Sequence, residues 1–159
     1  MDYTVEPITD DNRRIVREWI ATWPKDFIIS RGRKLWPAEL EGFVALDRER
    51  ALIGLVTYEV VSDQCEIVTI DALTKWSGIG TRLLAHTIPA AKRAGCKRLW
   101  LITTNDNIEA IRFYQKRGFT IGAIHVNALE HSRKLKPEIP MIGLFGIPIR
   151  DEIEFEMGL

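Results

Sequence analysis

The feature that most constrains the fold is a strand-like segment that runs directly into a glycine loop and then into a helix. The strand spans residues 65–73, the loop is Lys75-Trp-Ser-Gly78-Ile-Gly80, and helical periodicity continues to Ala94. At a helix start several backbone N–H groups have no partner within the helix, and they converge near one point. Together with the helix dipole they attract an anion, which glycine allows to approach the main chain closely. The segment therefore predicts a phosphate-type site, beside which Lys75 would supply a positive charge.

Two common phosphate-binding motifs do not fit this loop. A P-loop requires Gly-Lys-Ser/Thr after four intervening residues, and a dinucleotide-binding fold requires a third glycine where this chain has Leu83. A Gly-x-Gly before a helix is also compatible with an ordinary tight turn. The loop alone leaves both an anion site and a simple turn open.

The remaining pattern predicts one mixed α/β domain over residues 1–159. Alternating apolar runs predict strands, apolar residues at helical spacing predict helices, and no repeat or flexible linker divides them. The first helix is expected to begin at Asp10 or Asp11, and a later one at Asp106, which has the spacing of a capping box with Glu109. Residues 30–34 are expected to be a loop or a short irregular helical segment. The expected strands are 3–8, 42–46, 51–61, 65–73, 99–103, 120–126 and 151–157.

The stretch 138–150 is apolar but contains two prolines and two glycines, so it predicts a loop with buried side chains. We expect it to pack over the open end of the sheet, as a pocket wall, against a second subunit, or within its own core. Leu144 and Phe145 lie between the two glycines and are expected to form an apolar tip. A homodimer with a contact near this tip is the expectation that follows.

The composition argues against several classes of function. Lys plus Arg is 22 and Asp plus Glu is 22, so no net charge attracts nucleic acid or an anionic membrane. No run reaches the roughly 18 apolar residues of a membrane span. The N-terminus lacks an export signal and the chain has only two cysteines, which predicts a cytoplasmic protein. No metal site is expected, because the cysteines and histidines lack ligand spacing: Cys65, Cys96, His86, His125 and His131.

The glycine loop resembles the acetyl-coenzyme A loop of the GNAT superfamily of N-acetyltransferases, whose pattern is Q/R-x-x-G-x-G/A. Lys75-Trp-Ser-Gly78-Ile-Gly80 fits this pattern, with Lys in place of Gln or Arg. The family also shows N-x-x-A-x-x-x-Y-x-x-x-G-F in a later helix. This chain matches every fixed position of that second pattern, with Asn107, Ala110, Tyr114, Gly118 and Phe119. The resemblance covers residues 43–119.

The resemblance implies a GNAT fold, with a mixed, mostly antiparallel sheet of about six or seven strands, splayed at strands four and five and flanked by about four helices. It also implies acetyl-CoA as cosubstrate. Asn107 would hydrogen-bond the pantetheine arm, and Tyr114 would protonate the leaving thiolate. Backbone groups of Val68, Thr69 and Ile70 would pair with the arm. Amides of the loop would hold the pyrophosphate, namely those of Lys75, Trp76, Ser77, Gly78, Ile79, Gly80 and Thr81.

The general base is not assigned by the resemblance, because some relatives use a Glu on the fifth strand where this chain has Ile102. Glu66 and Asp71 are the candidates, and we list Glu66 first. They lie an odd number of positions apart on one strand, so they are expected to face opposite sides. A water relay is an alternative to both. Glu66 and Asp71 are also compatible with a role as ordinary solvated strand residues, and Tyr114 is compatible with a role in packing.

The sequence therefore predicts an enzyme that moves the acetyl group of acetyl-CoA to a primary amine by direct transfer in a ternary complex. The alternative is a non-catalytic acyl-CoA-binding sensor with the same fold. The amine belongs to a small molecule or a peptide, with no nucleic-acid or membrane partner. Its identity stays open: Ser30-Arg-Gly-Arg-Lys34 suits an acidic group, whereas the acids of the last strand suit a cationic one, namely Asp151, Glu152, Glu154 and Glu156.

Overall fold

The computed structural model describes residues 2–159 as nine strands and four α-helices joined by short connections. The strands are β1 (Tyr3–Pro7), β2 (Ile28–Ser30), β3 (Arg33–Leu35), β4 (Glu41–Asp47), β5 (Leu52–Val61), β6 (Gln64–Ala72), β7 (Arg98–Thr104), β8 (Thr120–His125) and β9 (Glu152–Gly158). The helices are α1 (Arg13–Ile20), α2 (Ile79–Arg93), α3 (Ile108–Lys116) and α4 (Ala128–Leu135). Single 3-10 turns lie at Pro37–Glu39 and Leu144–Gly146.

Seven strands form one sheet in the order β1-β4-β5-β6-β7-β9-β8, and β2 and β3 form a separate hairpin. Neighbours are antiparallel except β6 and β7, which are parallel because α2 connects them. One face, here the α2–α3 face, packs the larger core with Leu83 and Phe155. The other, the α1 face, packs Val16 and Ile20 against β4 and β5. The expected mixed sheet of six or seven strands flanked by helices is confirmed.

A β-bulge at Val68 changes the side that later residues of β6 face. Ile67 pairs with Tyr58, whereas Thr69 pairs with Thr57, so Val68 is an extra residue in β6. Ile67 and Ile70, three positions apart, therefore both pack into the core of the α2–α3 face.

The bulge corrects the expectation that Glu66 and Asp71 face opposite sides. Both side chains lie on the α1 face: Glu66 contacts Ser30 of the hairpin, and Asp71 accepts a hydrogen bond from Trp19 Nε1 of α1. The alternation rule fails because the inserted residue shifts every later side chain by one position.

Two local expectations are wrong, and one helix was not predicted. Residues 30–34 form the turn and part of the β2–β3 hairpin, and the turn residues Arg31 and Gly32 have φ of 50° and 76°, as two-residue hairpin turns require. Helix α3 is capped by Asn107 rather than by Asp106, since Asn107 Oδ1 accepts from the Ala110 N–H at 3.2 Å. Helix α4 had not been anticipated.

The 138–150 stretch is a loop, as expected, but among its apolar side chains only Ile149 is buried. Met141, Ile142, Leu144 and Phe145 expose 67%, 56%, 47% and 68% of their surface. The loop is nevertheless anchored, because the Leu144 N–H donates to Asp106 Oδ2 at 3.0 Å. An interior location is therefore wrong for this tip, and the homodimer stays a prediction.

The β2–β3 hairpin is fastened to the sheet by a buried carboxylate. Glu66 is 3% exposed, and its oxygens accept from Ser30 Oγ at 2.5 Å and from Arg33 Nη2 at 2.6 Å. Burial raises the pKa of Glu66, because desolvation disfavours its charged form more than Ser30 and Arg33 stabilise it. Since Arg33 also bonds Glu59, one half-exposed guanidinium compensates two carboxylates.

Replacing Arg33 by Met should lower the free energy of unfolding by about 1–3 kcal/mol near pH 8, because Glu66 is left buried and unpaired. A raised folded-state pKa means that Glu66 favours folding when protonated and that this contribution is lost as the pH rises through the folded pKa. The deficit should therefore shrink toward pH 4. Urea unfolding of Arg33→Met between pH 4 and pH 8 measures it.

The control is the double variant Arg33→Met/Glu66→Gln, in which no charge is buried at this site. Its deficit relative to the single variant Glu66→Gln should change little with pH. A deficit of Arg33→Met that is the same at pH 4 and pH 8 would contradict this account of the hairpin.

Candidate active site

The central strands β6 and β7 separate halfway along their length. They pair only over Gln64–Ile67 and Arg98–Leu101, yet β6 continues to Ala72 and β7 to Thr104. Beyond this point β6 still pairs with β5, and β7 with β9, so each strand keeps one partner. The backbone of residues 68–72 therefore turns an edge without a strand partner toward the gap. This is the expected splay between the fourth and fifth strands of the large sheet.

The gap opens into a cleft of about 620 Å³ that receives side chains from both faces of the sheet. Tyr114 and Phe113 of α3 enter from the α2–α3 face, and Asp71, Trp23 and Ile28 enter from the α1 side. The cleft therefore passes through the sheet, connecting the start of α2 with the region between α1 and the hairpin. Most of the residues that the sequence selects line it: Val68, Thr69, Ile70, Lys75, Trp76, Ser77, Gly78, Gly80, Thr81, Asn107 and Tyr114.

The glycine loop ends at a helix start whose amides are free for a ligand. Gly78 is the N-cap of α2 with φ of 84°, a left-handed conformation that glycine adopts without steric cost. The first turn contains no acidic side chain and no side-chain cap, so its N–H groups have no side-chain competitor. Of the selected loop residues, only Ile79 does not line the cleft, because its side chain is buried in the core. Only its backbone can contribute to ligand binding.

A second cation lies beside the loop in addition to Lys75, which the sequence suggests. Lys75 Nζ lies 3.2 Å from Glu109 Oε2 in an exposed ion pair, so its charge is largely compensated. Arg117 also lines the cleft, and its Nε donates to Thr81 Oγ1 in the first turn of α2 at 2.8 Å. Its guanidinium lies 3.9 Å from the centre of the Phe113 ring, which fixes its plane. Sequence reasoning missed Arg117, whose only signal was its place one helical turn after Phe113.

Tyr114 is held by aromatic packing at the base of the cleft. Its ring is 6% exposed and makes edge contacts with Phe113 and Phe119, with Phe155 at 5.9 Å. Burial raises the pKa of Tyr114, because the phenolate would lose its hydration. At neutral pH the hydroxyl therefore keeps its proton and is a donor, while Asn107 on the same helix start offers its side-chain amide to the cleft.

The two candidate bases occupy different surroundings. Asp71 lines the cleft and its Oδ2 accepts from Trp19 Nε1 at 3.1 Å. Glu66 does not line it: its oxygens face Ser30 and Arg33, at the floor of a separate depression beside Trp100. The structure therefore brings Tyr114 and Asp71 to one cleft but does not bring Glu66 there. The cleft is also lined by residues that the sequence does not select as site residues: Trp23, Ile28, Ile102, Phe113, Arg117 and Leu144. Leu144 belongs to the stretch for which a pocket wall was one of the expectations.

Comparisons with known proteins agree with this geometry. The family model described as the acetyltransferase (GNAT) family matches residues 11–119. The uncharacterized protein YdhI of Bacillus subtilis is 50% identical over 117 residues, which cover 74% of this chain and 73% of YdhI. YxbD of the same organism is 41% identical over 143 residues, covering 82% and 90%. A crystal structure of a Bacillus subtilis acetyltransferase in complex with CoA superposes with a TM-score of 0.70 at 20% identity, covering 99% of each chain.

Gly78→Asp should weaken CoA binding by about 10- to 100-fold, because a carboxylate at the helix start competes for the amides that would hold phosphate. Asp tolerates a left-handed backbone better than most residues, and no atom lies within 4 Å of a Cβ built at Gly78. The far-UV circular dichroism should therefore stay close to that of the wild type. Calorimetry with CoA gives the affinity.

Gly78→Asn is the matched control, since Asn has the same shape and the same backbone tolerance but no charge. It should lose much less affinity than Gly78→Asp. Equal affinities for the two variants would show that the start of α2 does not face the phosphates.

Proposed function

Because the chain belongs to the acetyltransferase (GNAT) family, we propose that it is an N-acetyltransferase that moves the acetyl group of acetyl-CoA to a primary amine by direct transfer in a ternary complex. The observation that carries the proposal is the separation of β6 from β7 beside the start of α2, with Tyr114 at its base. The solved relative of the same fold with CoA bound supports CoA as the ligand of such a cleft.

The residues of the cleft fit acetyl-CoA group by group. The free edge of residues 68–72 offers alternating N–H and C=O groups to the amides of the pantetheine arm, as an added strand would use them. The amides around Gly78 and Gly80 suit the pyrophosphate, and Arg117 adds a positive charge there. Asn107 offers an N–H₂ donor between these two regions.

Bound acetyl-CoA supplies an activated acetyl thioester, which an uncharged amine attacks directly. Two protons must leave an acceptor that arrives as an ammonium ion, one before attack and one as the amide forms. Tyr114 donates its proton to the departing thiolate and is reprotonated by one of these two. The other is released to solvent, so that an ammonium and a thioester yield an amide, a thiol and one proton.

Burial raises the pKa of Tyr114, so its hydroxyl is protonated at neutral pH, although the same shift makes it a weaker acid than a free phenol. A phenol that does not ionise at neutral pH always holds the proton that the thiolate needs. For the amine we propose that Asp71 is the carboxylate that receives the first proton. Glu66 acts, if at all, through a relay, since Ser30 and Arg33 occupy its oxygens.

We also propose that the enzyme works in the cytoplasm on a small-molecule or peptide amine. Cys65 and Cys96 are both free and buried, which supports a reducing compartment. No helix among residues 2–159 is long and apolar enough to cross a membrane. The described part of the chain also contains no group of three or more potential metal ligands.

Tyr114→Phe should lower kcat about 10- to 1000-fold with little change in affinity for acetyl-CoA, because only the proton donor is lost. Steady-state thiol release and calorimetry give the two quantities. Tyr58→Phe is the matched control: Tyr58 is a second tyrosine whose pKa burial raises, but it does not line the cleft, so its variant should keep wild-type kcat.

A folded Tyr114→Phe enzyme with full turnover would assign Tyr114 to packing alone. A wild-type protein that binds acetyl-CoA tightly and releases no thiol with any amine would instead identify the non-catalytic sensor. A protein that does not bind acetyl-CoA would refute both functions.

A further inference from the structure

The charges that could select an acceptor are mostly paired with one another outside the cleft. Arg31 bonds Glu152, and Arg33 bonds Glu66 and Glu59. Likewise Arg98 bonds Glu154 and Glu156, and Arg150 bonds Asp151. The basic hairpin and the acidic β9, which suggested opposite acceptors from the sequence, are therefore largely paired within the fold, with each other through Arg31 and Glu152 and otherwise with neighbouring strands. What selects the acceptor must be sought among the residues that line the cleft.

The half of the cleft on the α1 side is mostly apolar and carries one charged side chain. Trp23, Ile28, Ile102 and Leu144 line it, and Asp71 is its carboxylate. The other carboxylate of the cleft, Glu109, lies on the α3 side and is paired with Lys75. The cations of the cleft, Lys75 and Arg117, also lie at the start of α2 or on α3. Among the residues that line the cleft, none on the α1 side is a cation; Lys34 and Lys136 lie over the Phe27 ring and do not line it.

Asp71 is oriented rather than free to rotate. Trp19 Nε1 donates to its Oδ2, so α1 holds one oxygen while Oδ1 has no hydrogen-bond partner among residues 2–159. An ammonium group forms a strong, charge-assisted hydrogen bond with a fixed, half-buried carboxylate oxygen. Thr69, the nearest other polar side chain on this side, is already bonded to Thr57 at 2.7 Å.

Leu144 is the apolar wall on the β7 side, and its loop is held in place. The Leu144 N–H donates to Asp106 Oδ2, and the neighbouring Gly143 packs so closely that a Cβ there would lie 2.1 Å from the same oxygen. Asp106 in turn accepts from Thr104 Oγ1 at the end of β7. The wall therefore moves with β7. Exposed Met141, Ile142 and Phe145 continue the apolar surface outside the cleft.

We infer that the acceptor is a primary monoamine on an uncharged, apolar body, such as an arylalkylamine. Its ammonium binds Asp71 Oδ1, and its body lies between Trp23, Ile28 and Leu144. An acceptor carboxylate would find no cation there, and a second ammonium would be buried without a partner, which disfavours amino acids and polyamines. This inference rests on the proposed acetyltransferase function and names the substrate class of the same cleft.

The test is thiol release with three probes at saturating acetyl-CoA: 2-phenylethylamine, L-phenylalanine, which adds a carboxylate to the same body, and spermidine. We expect kcat/KM for 2-phenylethylamine to exceed both others by about 10-fold or more. Turnover that is equal for the three probes, or higher with spermidine or L-phenylalanine, would overturn the acceptor class while leaving the acetyltransferase function in place. The absence of thiol release from every amine would refute the function itself.

Two variants test the residues. Leu144→Ala should lower kcat/KM for 2-phenylethylamine about 10-fold but leave that for methylamine, which does not reach the wall, within about 2-fold. Asp71→Asn should raise KM about 10-fold or more for both amines, with the calorimetric affinity for CoA unchanged. Met141→Ala, in the same loop but outside the cleft, is the matched control and should keep wild-type kinetics. Equal effects of Leu144→Ala on both amines, or wild-type KM in Asp71→Asn, would reject the assigned subsite.

Discussion

The separation of β6 from β7 is the constraint on which the rest of the site depends. Within a continuous sheet, each inner strand would use both edges for hydrogen bonds, and no ligand could reach the backbone. Here β6 stays hydrogen-bonded to β5, and β7 to β9, so the sheet stays intact. One edge of β6 is therefore free to bind a ligand. The same opening lets Tyr114 from one face and Asp71 from the other line a common cleft.

Much of this architecture can be predicted from short stretches of sequence, whereas the rest depends on contacts between segments that are distant along the chain. The glycine loop, the start of α2 and the position of Tyr114 follow from motifs of adjacent residues, which is why they were predictable. The bulge at Val68 is different, because only the register against β5 reveals the extra residue. Alternation counted along the chain therefore put Asp71 on the wrong side relative to Glu66.

Like the bulge, the ion pairs could not be predicted from the sequence. Arg31 and Glu152 are far apart along the chain, and so are Arg33 and Glu66, yet each pair meets on the α1 face. Interpreting a cluster of like charges as a surface for opposite charge fails when the fold pairs those charges with distant residues. Arg117 shows the converse, since the C-cap residue of α3 becomes a second cation of the cleft through its place beside Thr81.

The position of β9 between β7 and β8 also affects how the protein folds and how it opens locally. Beyond Leu101, β7 has no partner on its β6 side, and β9 alone secures that wall of the cleft. Every one of those hydrogen bonds joins residues distant in sequence, so forming them costs more loop-closure entropy than forming local contacts. We expect the site to be completed only when β9 inserts, and amide exchange in the upper part of β7 to report the local opening of this strand.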